Sequence, residues 1–198
     1  MRFRQFYLCS VMLFTFFYTC LIPGSAVAIE VGGVRLDDVT RVANQDLTLN
    51  GAGVRTRWGN RVTLSALYLP EKKNRAADIL ASQDPKRIAI TALRDIPTDK
   101  LARWFLEGIQ RNLSFGERTK LIVQLQKLGE VFAKTADMQK GDVLTIDWVP
   151  TKGTIFEVNG KIISEPFPDI ALFNAILKIY IGDKPVDAAL KSQLLGET

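Results

Sequence analysis

Apolar and polar positions along this chain follow two rhythms, a strand rhythm before and after the middle and a spacing of three or four residues through the middle and at the C-terminal end. Val31 to Leu36 and Asp46 to Arg57 predict early strands. Arg61 to Leu69 is apolar almost throughout, as in a sheet interior covered on both faces, and it stops at Pro70, which removes a ladder donor. Asn74 to Ser82 predicts a short helix with Ala76, Ala77, Ile79 and Leu80 on its apolar side, and Arg87 to Leu93 returns to strand. A longer helix is expected to begin at Thr98, an N-cap after Pro97, and to bury Leu101, Phe105, Ile109 and Leu113. Ser114-Phe-Gly-Glu117 has the spacing of a capping box for a second helix, with Leu121, Leu125, Leu128 and Phe132 on its buried side. Beyond Gly141 come strands through Val149, through Val158 and again from Lys161. Asn159-Gly160 supplies a two-residue turn, because both positions tolerate positive φ. Pro168 to Ile181 predicts a helix burying Leu172, Phe173, Ile176, Leu177 and Tyr180, with Gly182 and Pro185 as its stop, and Asp187 caps a terminal helix through Leu194. Strands on either side of a helical middle give an α+β fold, a curved antiparallel sheet covered by helices.

The N-terminus lies outside that pattern. Arg2 and Arg4 precede an apolar run from Phe6 to Ile22, a Pro23-Gly24 break and the small residues Ala26-Val-Ala28, so residues 1–28 read as a secretory signal peptide. The rival reading is a transmembrane anchor, since the run is not clearly too short for one. Cleavage near Ala28 leaves residues 29–198 as one domain of secreted, periplasmic type and removes both cysteines, Cys9 and Cys20. Histidine is absent. The mature chain therefore has no imidazole base, no thiol nucleophile and none of the usual zinc ligands, and the sequence calls for no metal and no cofactor. The net charge of +5 includes the two leader arginines, and the remaining cations are interleaved with acids, which argues for solvated faces and against a nucleic-acid partner. Asp37-Asp38 has no further clustered oxygen ligands and reads as a solvated turn. Asp142 and Asp147 are expected to be exposed or turn-forming.

The densest information sits in Leu47-Thr-Leu-Asn-Gly-Ala-Gly-Val-Arg-Thr56. Gly51 and Gly53 weaken a strand, so they suggest a bulge or a place where another group approaches the backbone closely. Arg55 follows, and an arginine beside a covered strand needs an anion. That anion is either a ligand gripped through two parallel hydrogen bonds or a structural carboxylate, and Arg57 competes for the inward position.

The Gly-Ala-Gly-x-Arg element followed by the Leu-Tyr-Leu-Pro strand resembles the chalcone isomerase-like family in its secreted bacterial branch. Lys140-Gly-Asp-Val-Leu-Thr-Ile-Asp-Trp-Val-Pro150, Gly153-Thr154, Val158-Asn-Gly-Lys161 and Ile176 to Gly196 are similar to that family's late strands and C-terminal helices. The resemblance implies an open-faced β-sandwich. In the family's plant enzymes it implies an intramolecular addition in which a phenolate closes on an unsaturated ketone, with arginine holding the anion and hydroxyls polarising the ketone. It assigns Arg55 to the anion and Thr63 to a pocket wall, where the bland alternative is an ordinary β-branched strand residue. Approximate alignment puts Pro97 in place of the catalytic tyrosine, Trp104 in place of a pocket asparagine and Ala171 in place of a threonine or serine, which leaves fewer donors for a developing enolate. What remains is an apolar pocket with one cationic end, lined by Trp104 and Phe105 unless these are plain core. The expected ligand is a small amphipathic carboxylate, fatty acid or aromatic acid, as in the fatty-acid-binding members of the family. An isomerase acting as an intramolecular lyase is the alternative, and a non-catalytic envelope partner is a third possibility.

Overall fold

The computed structural model describes residues 28–197, so the expected leader lies outside the described residues except for Ala28. Two hairpins open the chain: β1 (Ala28–Val31) pairs with β2 (Val34–Asp37), and β3 (Val39–Val42) with β4 (Gln45–Arg57). The single strand expected over Val31 to Leu36 is broken because Gly32 and Gly33 both take positive φ, 58° and 76°, and turn the chain back on itself. β3 was absent from the sequence expectation, and its link to β4 places Ala43 and Asn44 in the same left-handed region. β5 (Asn60–Leu69), β6 (Lys86–Ala92), β7 (Val143–Val149), β8 (Gly153–Val158) and β9 (Lys161–Ile162) complete an antiparallel sheet in simple sequence order, β3 to β9. β1 and β2 form a separate two-stranded sheet.

Five helices accompany the sheet: α1 (Ala76–Ala81), α2 (Thr98–Asn112), α3 (Phe115–Lys134), α4 (Ile170–Ile181) and α5 (Ala188–Leu194). The capping box that opens α3 forms as the sequence predicts, with the Ser114 hydroxyl accepting from the Glu117 amide and Glu117 Oε2 accepting from the Ser114 amide at 2.8 Å. Asp169 caps α4 and Asp187 caps α5 through their carboxylates. Thr98 is not a cap: Pro97 holds that position, and the Thr98 hydroxyl donates to the Ala136 carbonyl at 2.7 Å. Among the described residues no helix is long and apolar enough to cross a membrane.

The sheet is buried on both faces, as the near-continuous apolar run of β5 requires. The larger core lies between the sheet and the helices, where Leu67, Ile88, Ile90 and Ile146 meet Phe105, Ile109, Phe173 and Ile176. A smaller core on the opposite face joins Leu47, Leu49, Leu64, Ala66 and Tyr68 to Leu36 of the β1–β2 hairpin. Tyr68 ties the hairpin down by donating to the Asp37 carbonyl at 3.1 Å. Asp147, expected at the surface, is only 4% exposed. Arg87 grips it from the neighbouring strand, Nε to Oδ1 at 2.7 Å and Nη2 to Oδ2 at 2.6 Å, so the charge is buried as half of a bidentate pair. Lys86 is also fully buried, its Nζ donating to the carbonyls of Ile79 and Ser82 at the end of α1, and burial lowers its pKa to about 8.

Candidate ligand-binding site

Two irregularities in the β4–β5 ladder build the site. Leu49 pairs with Tyr68 but Gly51 pairs with Leu67, which leaves Asn50 as an extra residue on β4. Arg55 pairs with Thr63 but Thr56 pairs with Arg61, which leaves Val62 extra on β5. The first bulge changes which residues face the helices. Leu47 and Leu49 point into the small core, whereas Gly51, Gly53 and Arg55 point toward the helices. Asn50 closes the irregularity by donating to the Leu194 carbonyl at 2.7 Å and the Lys73 carbonyl at 3.0 Å.

Both glycines are required by the close approach of α5. A Cβ at Gly51 would lie 2.8 Å from the Leu194 carbonyl oxygen, and one at Gly53 would lie 2.9 Å from Leu190 Cδ1. The bulge and the close approach that the glycines suggested are therefore both present.

Arg55, Thr63 and Trp104 line one cavity, together with Ile90, Leu101, Phe105, Ile179 and Tyr180. Its volume is about 10 Å³, comparable with the roughly 10–15 Å³ that a single water needs. The Arg55 guanidinium lies 4.9 Å from the centre of the Trp104 ring, and Trp104 is 9% exposed. Among the described residues Arg55 makes no ion pair and no side-chain hydrogen bond. Burial lowers its pKa, and Tyr180 opposes that shift. Burial raises the pKa of Tyr180 well above that of a free phenol, with Arg55 pulling the other way, so Tyr180 presents a neutral hydroxyl near the cation. Thr63 is 3% exposed. The arrangement is a partly desolvated guanidinium with two hydroxyl side chains, walled by aliphatic and aromatic groups. Chemically it can accept one anionic oxygen group.

Tyr180 is the site residue that sequence reasoning placed in the core alone. Its helical spacing matches its apolar neighbours on α4, and only its polar tip distinguishes it. Pro97 and Ala171 do not line the cavity; Ala171 lies in a groove between α1, α3 and α4 with Leu80, Leu113 and Asn174. Arg57 does not replace Arg55 as the inward arginine. It does not line the cavity, and its guanidinium lies 5.6 Å from the Trp104 ring centre. A slot of about 120 Å³ between the two arginines is completed by Glu107, Gly108 and Arg111.

Residues 28–196 match a family model described as chalcone isomerase-like. No curated protein matches the chain. Among solved structures, a fatty-acid-binding protein of Arabidopsis thaliana is similar, with a TM-score of 0.65 at 13% identity over 85% of this chain and 96% of that one. At that identity the likeness is one of fold.

Proposed function

This chain belongs to the chalcone isomerase-like family, and from that premise we propose that it binds a small amphipathic carboxylate of the fatty-acid type, anchored by Arg55. The observation that carries the reading is the half-buried Arg55 guanidinium, which has no ion-pair partner among the described residues. A desolvated cation is costly unless an anion completes it, and the ligand carboxylate supplies that anion. Thr63 and Tyr180 donate to the same carboxylate, Trp104 covers the cation, and the tail parts Ile90, Leu101, Phe105 and Ile179. Because the cavity is close to the size of one water, binding requires these walls to separate. The fatty-acid-binding protein of like fold supports the ligand class. The binding domain is secreted to the periplasm after removal of residues 1–28, a reading motivated by the leader sequence.

Native mass spectrometry of the protein starting at Ile29, purified from periplasm beside an Arg55→Ala variant, tests the reading. A co-purifying acid in the first and its loss from the second are expected. If both proteins are empty and neither takes up added dodecanoate, the carboxylate reading is wrong.

The isomerase reading is favoured by one observation, the Tyr180 hydroxyl beside Arg55, which supplies a donor that the alignment of Pro97 and Ala171 had removed. Loss of chalcone absorbance faster than the spontaneous, base-catalysed rate, and abolished by Tyr180→Phe, is its expected signature; a background rate rejects it for that substrate.

A further inference from the structure

Outside Trp104 the fold carries a basic groove that the Arg55 anchor does not use. Its volume is about 320 Å³, and Arg57, Arg94, Lys100 and Arg103 line it together with Asp95 and Glu107. Glu107 lies 4.0 Å from Arg111, whereas Asp95 accepts only the Lys140 amide, at 2.9 Å, and keeps its charge. Arg103 is paired with Asp99 at 2.7 Å, whereas Arg57, Arg94 and Lys100 make no ion pair among the described residues. Three cations without an ion pair, from β4, the β6–α2 loop and α2, therefore share one groove with a single unpaired carboxylate, Asp95, and leave it net positive.

Arg57 is held in place there. Its guanidinium lies 5.0 Å from the ring centre of Trp58 and 5.6 Å from that of Trp104, so two indoles fix it while its edge N–H groups have no protein acceptor among the described residues. Trp58 is 88% exposed and sits at φ 50°, a turn position that favours asparagine, aspartate or glycine. A bulky aromatic at that position accepts backbone strain and gains no core burial. What it contributes is a face for Arg57.

We propose that this groove is a second anion site, distinct from Arg55, that takes the oxyanions of a phosphate group. A planar carboxylate is satisfied by one guanidinium fork, whereas cations converging from three elements suit a tetrahedral group with oxygens in several directions. The phosphate is either free or the head of an amphiphile that also offers an oxygen to Arg55 through the slot between the two arginines while its tail enters the Arg55 cavity; the second form rests on the reading of that cavity as an acyl site.

Calorimetric titration of the wild type and Arg57→Gln with dodecanoate, dodecyl phosphate and inorganic phosphate at low ionic strength tests the proposal. The wild type is expected to bind dodecyl phosphate about tenfold more tightly than dodecanoate, and R57Q to bring the two toward parity. Arg57-dependent binding of inorganic phosphate, without any advantage of dodecyl phosphate, assigns the groove to free phosphate. Equal affinity for the two amphiphiles, together with no Arg57-dependent phosphate binding, overturns the proposal. If dodecanoate fails to bind while Arg57-dependent phosphate binding persists, the Arg55 reading falls and this one stands. Unfolding midpoints check that R57Q folds, and Arg94→Gln combined with Lys100→Gln, both exposed positions, provides a second route to the same loss.

Discussion

The glycines that flank the site differ in kind, and substitution separates them. Gly51 meets the backbone of Leu194, so Gly51→Ala must push α5 away from the sheet and is expected to cost on the order of 1–3 kcal/mol. Gly129 lies inside α3 with nothing within 4 Å of its added Cβ, so Gly129→Ala is expected to stabilise by about 1 kcal/mol. Urea midpoints of the two variants check the contrast, and a neutral Gly51→Ala would show that α5 is not seated as described. The paired glycines drew attention to Arg55 and the family resemblance gave it a role in binding an anion, whereas neither singled out Tyr180. Paired glycines in a strand have few structural uses, so they mark the place where a neighbour closes in, and the arginine two residues on inherits that attention. A tyrosine among isoleucines and leucines on a helix has many, and nothing in its spacing separates a buried ring from a hydroxyl that lines a cavity.

Among the elements, α3 depends most visibly on its terminus. Glu117 accepts from the Ser114 amide and hydroxyl and pairs with Lys178 of α4 at 3.0 Å, and these contacts lower its pKa from 4.5 to about 2. Between those two values the unfolded chain binds more protons than the folded one, so stability rises with pH there and is lost as pH falls from 4.5 toward 2. Glu117→Gln is expected to flatten that part of the acid limb in a thermal-melting profile; an unchanged slope would mean that the box and the pair are absent in solution. This cap was legible because Ser and Glu at fixed spacing perform a local task. The helices were legible for the same reason, each carrying its own apolar stripe. The first two hairpins were harder to read. Gly32-Gly33 lies within an apolar stretch that also fits one longer strand, and Ala43-Asn44 turns the chain with a pair of which only the asparagine is a turn former. The Arg87–Asp147 pair was hidden because strands distant in sequence supply its halves.

For the whole molecule, the small second core makes the opening hairpin part of the fold. Without residues 28–37, Leu47, Leu64, Ala66 and Tyr68 lose their cover, at roughly 1.5–3 kcal/mol for each large side chain fully exposed. A chain beginning at Asp38 is expected to unfold at lower urea and to bind a hydrophobic dye, and an undiminished midpoint would show that the face tolerates water. The α+β architecture itself was readable because the order of periodicities along the chain is the order of the elements. The division of the sheet into two cores was not, because simple alternation puts Leu47, Leu49, Gly51, Gly53 and Arg55 on one side. The extra residue at Asn50 works like a frameshift in a message. Upstream of it odd-numbered residues belong to the small core; downstream they face the helices and the Arg55 cavity. Losing Asn50 would restore a plain ladder with both halves still in frame, whereas losing Ala52 would throw Arg55 out of frame and turn the cation toward the wrong core. The strand's tolerance of insertion and deletion is thus uneven along its length, and the Gly-Ala-Gly-x-Arg segment can keep its meaning only if it is inherited as an unbroken word.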